Sequence, residues 1–410
     1  MATVHLQEIA QVIRGVSFDK EEALDEGRDG YLPILRAGNI HTDLMIDDDL
    51  VWVPDRRVAE EQRMRSGDIA ICMSSGSQSV VGKTATLRRD WPGSVGAFCA
   101  VIRPDPDRVL PDWLAFFLRS EFFRTWTRQS TGANIKNIRK AELEEFPVPV
   151  PPMAEQRRVV DLLSRAEGIV RLRRQAQQKA AALIPAIFVD MFGDPATNPK
   201  GWAVHSLSDV ADVISGVAKG RQLSAEESIE LPYMRVANVK DGHLDMAEVK
   251  TIRIKKSEVE KLRIVPGDLL MTEGGDPDKL GRAALWRGEI DLCVHQNHIF
   301  KVRSHQGRLV PEYLRSLAGS AHGKAYFLSV AKKTTGIASI NKTQLSAFPV
   351  LLPPLVEQCR FQRQVEAVEA IAALQAAAAV KAEATFNALL ARAFTAAAPE
   401  VQHEAERALA

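Results

Sequence analysis

Two textures of apolar and polar positions alternate along the chain. In the first, over residues 1–150 and again over 201–352, short apolar runs such as DIAIC (Asp68–Cys72) and HIFKV (His298–Val302) are broken up by Gly, Asn, Asp and Ser. Runs of that length bounded by turn formers predict strands joined by tight connections. Each stretch also holds an amphipathic segment that opens on a proline, Pro111 or Pro311, a residue suited to the first turn of a helix. Strands with an interposed helix predict an α+β globular unit, here present twice.

The second texture covers residues 154–192 and 356–394, where Ala, Leu, Glu, Gln, Lys and Arg dominate. All are strong helix formers. In the earlier stretch Leu162, Ala166, Ile169, Arg173, Ala176, Ala180, Leu183 and Ile187 alternate steps of four and three residues. In the later one Phe361, Val365, Val368, Ala372, Gln375, Ala379, Ala382, Phe386, Leu389 and Ala393 follow the same rule. This is the heptad seam of a coiled coil, and in the earlier stretch only Arg173 is out of character. A helix of about 39 residues spans roughly 58 Å. The later helix is expected to run about one turn longer than the earlier one.

Between the two textures lies a proline-rich hinge, EEFPVPVPPMAEQRRVVDLL (Glu144–Leu163), and the chain builds it again as SAFPVLLPPLVEQCRFQRQV (Ser346–Val365). Further blocks repeat in the same order: IRGV (Ile13–Val16) with ISGV (Ile214–Val217), PILRAGNI (Pro33–Ile40) with PYMRVANV (Pro232–Val239), SGDIAICM (Ser66–Met73) with PGDLLMTE (Pro266–Glu273), and LPDWL (Leu110–Leu114) with VPEYL (Val310–Leu314). Collinear blocks at a spacing near two hundred residues mark a duplication. Prolines are excluded from helix interiors and bias their neighbours to extended backbone, so each hinge ends a globular unit and launches a helix in a fixed direction. The expected organisation is a first domain over 1–150, a helix over 151–195, a second domain over 196–352, and a helix and tail over 353–410. Two such helices packed antiparallel would form a stiff spacer with an approximate two-fold axis.

Composition narrows the function. The 410 residues have a formal net charge of +1, so a nucleic-acid-binding role requires clustered cations and a partner that shares the work, since Lys and Arg on phosphates supply most non-specific affinity. No cationic apolar leader follows Met1 and no run of about 18 apolar residues occurs, so a cytoplasmic location is expected. Cys72, Cys99, Cys293 and Cys359 lack any CxxC spacing, which fits reduced, packed thiols. SQSVVGKT (Ser77–Thr84) has serine where a phosphate loop needs glycine, and HQNH (His295–His298) has no zincin frame. No catalytic motif, including one for holding a flipped base, is present.

Two similar but non-identical heads on a stiff bar suit a target with two separated, different sites. Duplex DNA is the natural candidate, because half-sites on one face recur at roughly 34 to 36 Å. Arg, Lys, Asn and Gln pair with base edges, and Ser, Thr and Lys fix phosphates. On that chemistry the candidate DNA-facing residues of the first unit are Arg36, Asn39, Ser75, Ser77, Gln78, Lys83, Asn134, Lys136 and Asn137. Those of the second are Lys219, Arg221, Arg235, Asn238, Lys279, Arg282, Thr334, Thr335, Ser339, Asn341 and Lys342. The basic run Lys250, Arg253, Lys255, Lys256, Lys261 and Arg263, interrupted by Glu258 and Glu260, is either a phosphate-facing surface or a solvated helix face.

With these residues assembled, the chain resembles the specificity subunit of type I restriction-modification enzymes over essentially its whole length. The resemblance rests on FPVPVPPMAEQ and FPVLLPPLVEQ, the long helix after each, MFGDPATNPKGW (Met191–Trp202) opening the second half, and the GD and TG blocks of each unit. It implies two target recognition domains that read a bipartite asymmetric DNA sequence, held apart by an antiparallel helix pair that sets the unread spacer. It also implies a non-catalytic chain that binds double-stranded DNA, two methyltransferase subunits and, through them, restriction subunits. The cofactors, S-adenosylmethionine, ATP and Mg, would be bound on those partners and none on this chain; no metal site is expected. The readings that stay open beside this one are a recognition subunit of another phage-defence methyltransferase system and a helical scaffold that does not bind DNA.

Overall fold

The computed structural model describes residues 2–77, 79–129, 136–276, 279–334 and 337–395. The chain divides into two compact units, Met1–Arg174 with Ala378–Ala410, and Gln175–Ala377.

The first unit is built on a four-stranded antiparallel sheet in the order Ala10–Arg14, Cys99–Pro104, Ile69–Cys72, Thr84–Thr86. Its central strand IAIC is apolar at every position because both faces are covered. Ile69 and Ile71 pack with Trp113, Leu114 and Phe117 on one side, whereas Ala70 and Cys72 pack with Leu35, Leu87 and Val101 on the other. A three-stranded sheet beside it, in the order Val51–Pro54, Tyr31–Leu35, Ser94–Val95, includes one parallel pairing, Ile34 with Ser94. The predicted helix at Pro111 runs to Phe117 with the proline in its first turn. Phe146 of the hinge anchors an aromatic cluster, 4.5 Å from Trp126 and 5.1 Å from Phe123 between ring centres.

The second unit repeats this plan. Its four-stranded sheet has the order Ala211–Ser215, Ile299–Ser304, Leu269–Thr272, Ala283–Leu285. A three-stranded sheet again carries one parallel pairing, Tyr233 with Val294. Phe348 takes the place of Phe146, 5.0 Å from Phe327 and 5.3 Å from Tyr326.

The repeated GD blocks have a direct explanation. Gly67 and Gly267 adopt φ of +95° and +92°, a region in which a side chain would be strained. The following aspartate is buried and does two tasks at once. Asp68 accepts from the Arg65 backbone N–H at 2.8 Å and from Arg103 Nη2 at 2.7 Å. Asp268 accepts from Val265 N–H at 2.8 Å and from Arg303 Nη2 at 2.7 Å. Each ion pair locks the entry of the central strand to its neighbour in the sheet.

The proline hinge is more than a stiff connector. Pro147–Val150 is a strand, paired antiparallel with Ala2–His5, and Pro349–Leu352 pairs in the same way with Ala203–Ser206. The local pattern does not reveal those partners, which are remote in sequence. Beyond each hinge stands one long helix, Met153–Phe192 and Leu355–Thr395, of 40 and 41 residues. The extra turn expected between the Glu-Gln pair and the final phenylalanine is not found, because Gln358 stands as many residues before Phe394 as Gln156 before Phe192. The earlier helix continues through Pro185, a residue that removes an intrahelical hydrogen bond. Phe188 and Phe192, buried just beyond it, hold the last turns in place.

Each unit contains the start of one long helix and the end of the other. In the first unit Val159, Leu163 and Val170 share a core with Phe386, Leu390 and Phe394, and Phe394 lies 5.0 Å from Trp113. In the second, Phe188 and Phe192 pack with Phe361, Val365 and Tyr313. The heptad reading of the later helix agrees with burial at Phe361, Val365, Ala379 and Phe386, but that of the earlier helix needs correction: Leu162, Ile169 and Leu183 are exposed. The helix packs on a globular body as well as on a helix, and the apolar stripe that meets that body is rotated away from the simple seam.

All four cysteines are free. Burial is the main cause that pushes the Cys293 thiol up to about 12. Among the described residues no helix is long and apolar enough to cross a membrane.

Candidate nucleic-acid interface

The central strand of each unit runs out of the sheet into a polar connection, and a distant segment returns to pair with it. In the first unit Ser74–Ser75 pairs antiparallel with Lys136–Asn137, Ser74 opposite Asn137 and Ser75 opposite Lys136. Ile138 N–H donates to the Met73 carbonyl at 2.8 Å and extends this ribbon. Two segments that the sequence offers separately thus become one surface. In the second unit Gly274–Gly275 pairs with Ile337–Ser339, which pairs in turn with Lys332–Thr334. Ile340 N–H donates to the Glu273 carbonyl at 2.8 Å, the counterpart of the Ile138 bond.

Behind the first ribbon the chain turns through Ser77 and Ser79, whose hydroxyls lie 3.0 Å apart, while Ser77 N–H donates to Ser75 Oγ at 3.2 Å. Gly82 follows at φ +78°, and a Cβ there would come within 2.6 Å of Thr127. The GK pair therefore belongs to a turn that must clear a helix, which explains its partial likeness to a phosphate loop. A cavity of about 630 Å³ opens here, lined by Ser79, Lys83, Arg119, Arg124, Thr127 and Arg128 among others. Arg119 is engaged with Glu167 at 2.5 Å and Arg128 with Glu121. Hydroxyls and cations gathered in one concavity can hold a phosphate.

The structure separates the remaining candidates. Asn39 and Asn238 are buried, and their amides staple their own loops. Asn39 Oδ1 accepts from Arg36 N–H at 2.7 Å and Nδ2 donates to the Asp48 carbonyl at 3.0 Å. Asn238 Oδ1 accepts from Arg235 N–H at 3.0 Å and Nδ2 donates to the Asp245 and Glu248 carbonyls at 2.8 and 2.9 Å. This corrects the expectation that these two asparagines face DNA, because a saturated buried amide has nothing to offer a base. Arg36 pairs with Asp49, and Arg235 with Glu248 at 3.1 Å.

Arg221 forms a two-pronged pair with Glu258, at 2.8 and 3.2 Å, that holds the Glu258 carboxyl below its usual range. Lys219 sits 5.6 Å over the Tyr233 ring, and Lys279 pairs with Asp276. Arg282 is half-buried in the connection after Lys279. Asn341 caps a short helix, its Oδ1 accepting from Gln344 N–H at 2.9 Å, and Lys342 is exposed at the start of that helix. Gln78, Asn134 and Thr335 lie outside the described residues. For Lys136 and Thr334 only the strand positions are described.

The basic run starts on a strand, Lys250–Lys255, and only its later part, with Lys261, lies on a short helix, Val259–Leu262. Lys250 lies 3.2 Å from Glu248, Arg253 3.5 Å from Glu230, and Arg263 2.8 Å from Glu260. His295 of HQNH is buried in a strand, its Nδ1 bonded to the Ile299 carbonyl at 2.9 Å. Its pKa falls to about 4, chiefly through burial. Among the described residues no group of His, Cys, Asp and Glu could hold a metal ion.

The sequence reading also missed a turn. Gly96–Cys99 closes through a 2.8 Å bond from Cys99 N–H to the Gly96 carbonyl, and the Phe98 carbonyl accepts from Met73 and Ser74 N–H at 2.9 and 3.0 Å. In the second unit Ile299 N–H bonds to Gln296 at 2.9 Å and Glu273 N–H to His298 at 3.0 Å. Each turn is thereby fastened to the strand that leads into the ribbon.

Residues 1–181 match the family described as type I restriction modification DNA specificity domain. The StySPI specificity subunit of Salmonella potsdam is 32% identical over 386 residues, covering 90% of this chain and 82% of its own length. The EcoKI specificity subunit of Escherichia coli K12 is 30% identical, covering 89% and 81%. A chain from a type I restriction-modification assembly has the same fold with a TM-score of 0.55 at 20% identity, over 96% of this chain and 97% of its own. The S subunit from M. genitalium reaches 0.50 at 12% identity, over 96% and 95%. With its doubled fold, its paired hinges and relatives matched along nearly the whole length, the chain belongs to the type I restriction-modification specificity subunits, which recognise DNA in a sequence-specific manner.

Proposed function

We propose that the chain reads a bipartite, asymmetric duplex DNA sequence, one half with each unit, and directs methyltransferase and restriction subunits to it. The observation that carries this reading is the pair of ribbons. They grow from the same place on the same fold, yet the strand positions of one are Ser74, Ser75, Lys136 and Asn137 and those of the other Gly274, Gly275, Ala338 and Ser339. Equal frames with unequal chemistry suit two different half-sites. Recognition is assigned to residues 1–150 and 196–352. The long helices within 151–195 and 353–410 are assigned the role of an antiparallel coiled-coil spacer with pseudo-two-fold symmetry.

Docking of two methyltransferase subunits is supported by a repeated apolar pair on the helices. Ile169 and Leu172 are 53% and 63% exposed, and Ile371 and Leu374 are 56% and 71% exposed. A spacing of three places each pair on one helix face. Exposed apolar side chains at equivalent places in both units suit two copies of one partner. On this reading the chain itself is non-catalytic and works in the cytoplasm, and S-adenosylmethionine, ATP and Mg act on the partner subunits.

The test is to map N6-methyladenine in host DNA with and without this gene, beside its methyltransferase. A bipartite motif that vanishes on deletion is the expected result, and Lys136→Ala with Asn137→Ala should degrade one half of it. Unchanged methylation from an active methyltransferase would overturn the proposal.

A further inference from the structure

Phe98 is out of place as a core residue. Of the 15 phenylalanines in the chain it alone is exposed, with 70% of its surface accessible. Among the described residues it makes none of the aromatic contacts that knit the cores together. Its backbone is nevertheless tightly held. The turn is closed by the Cys99 to Gly96 bond, and the Phe98 carbonyl takes both Met73 and Ser74 N–H groups. Ser74 is the residue that faces Asn137 in the ribbon. An exposed aromatic ring on a firmly held backbone is thus presented beside the polar candidates for DNA reading.

The second unit holds the same turn in the same way but places His298 at its tip, with Nδ1 2.6 Å from Glu273 Oε2. One frame therefore offers a hydrocarbon ring, the other a polar pair. A phenyl ring forms no hydrogen bond with a phosphate and has no charge to release counterions, so it adds nothing to the phosphate-neutralising part of affinity. What it can recognise in a DNA groove is the apolar part of a base edge, and in the major groove that is the C5 methyl of thymine.

We infer that Phe98 is a specificity-determining residue, contacting a thymine methyl within the half-site read by the first unit. This rests on the bipartite reading proposed above. Because the turn is already fixed by three backbone bonds, the contact needs little ordering on binding.

The experiment uses the full chain assembled with its methyltransferase and duplexes carrying its mapped target. Each thymine of the half-site read by the first unit is replaced in turn by deoxyuridine, which lacks only the methyl group. At one position the replacement should weaken binding about tenfold for the wild-type chain, within the range expected for a lost base contact. Phe98→Ala should lose about the same on the thymine duplex and nothing further on the deoxyuridine duplex. Phe98→Leu, which keeps an apolar group, should retain part of the preference, and the salt dependence should be unchanged in all variants.

Equal binding of thymine and deoxyuridine duplexes by the wild-type chain overturns the inference, as does a uniform loss on all sequences with Phe98→Ala. If Asn137→Ala degrades the half-site while Phe98→Ala does not, the ribbon reading stands and Phe98 is no reader. If neither variant has an effect, the assignment of DNA reading to the ribbon falls as well.

Discussion

The side-chain carbonyl of Gln156 accepts the backbone N–H of Leu110 at 2.9 Å. Leu110 immediately precedes the helix that opens at Pro111, and Gln156 lies in the first turns of the long helix beyond the hinge. The same amide donates to the Pro151 carbonyl at 2.9 Å, so one buried side chain ties hinge, short helix and long helix together. Gln358 repeats the arrangement, accepting from Val310 N–H at 2.9 Å and donating to Pro353 at 2.9 Å. The Glu-Gln element of both hinges thus has a structural cause.

Gln156→Ala should lower stability by about 2 kcal/mol, because it strands a buried donor and a buried acceptor. Gln358→Ala should act alike in the second unit. Denaturant titration by circular dichroism checks this. A wild-type midpoint in both variants would show that water replaces the amide without loss.

His295 makes the second unit sensitive to acid. Its ordinary value of 6.5 falls to about 4 in the fold, with burial as the main cause. Its buried Nε2 has no hydrogen-bond partner among the described residues. Between those two values the unfolded chain binds more protons than the folded one, so stability is complete above pH 6.5 and declines as pH falls toward 4. The shift corresponds to a loss of about 3 kcal/mol. Thermal melts from pH 7 to pH 4 should show a steeper decline for the wild type than for His295→Phe. Parallel curves would mean that His295 is hydrated or already charged.

Insertion of four residues, one turn, between Arg171 and Ala182 lengthens the first long helix by about 6 Å. The expected outcome is a longer unread spacer in the methylated motif, with both half-sequences retained. Motif mapping reads this directly. Altered half-sequences would count against the helices acting as a ruler.

Replacing Ile169 and Leu172 together by serine removes one exposed apolar pair, which should change stability by no more than about 0.5 kcal/mol. The complex should then hold one methyltransferase subunit instead of two. Replacing Ile371 and Leu374 as well should abolish assembly. Native mass spectrometry gives the stoichiometry, and a complex that keeps both subunits after all four changes would refute the assigned docking face.

The sequence by itself determined the duplication, the α+β texture of each unit, the strands at DIAIC and HIFKV and the two long helices. Periodicity and proline placement are local properties, and they act before any tertiary contact is made. It also pointed to the segments around Ser75 and Asn137, because clustered turn formers and hydrogen-bonding side chains between apolar runs belong at a surface. Tertiary structure decided what local pattern leaves open. It buried Asn39 and Asn238 as loop staples, although their side-chain chemistry equals that of a base reader. It turned Val159 and Leu163 inward and left Leu162 and Ile169 outside, since apolar side chains on that helix are not confined to one stripe and only the neighbouring body selects among them. It paired Pro147–Val150 with Ala2–His5 and set Ser74 against Asn137. Those partners lie far apart along the chain, and their meeting depends on closing long loops and burying a shared core, which no short window of sequence encodes.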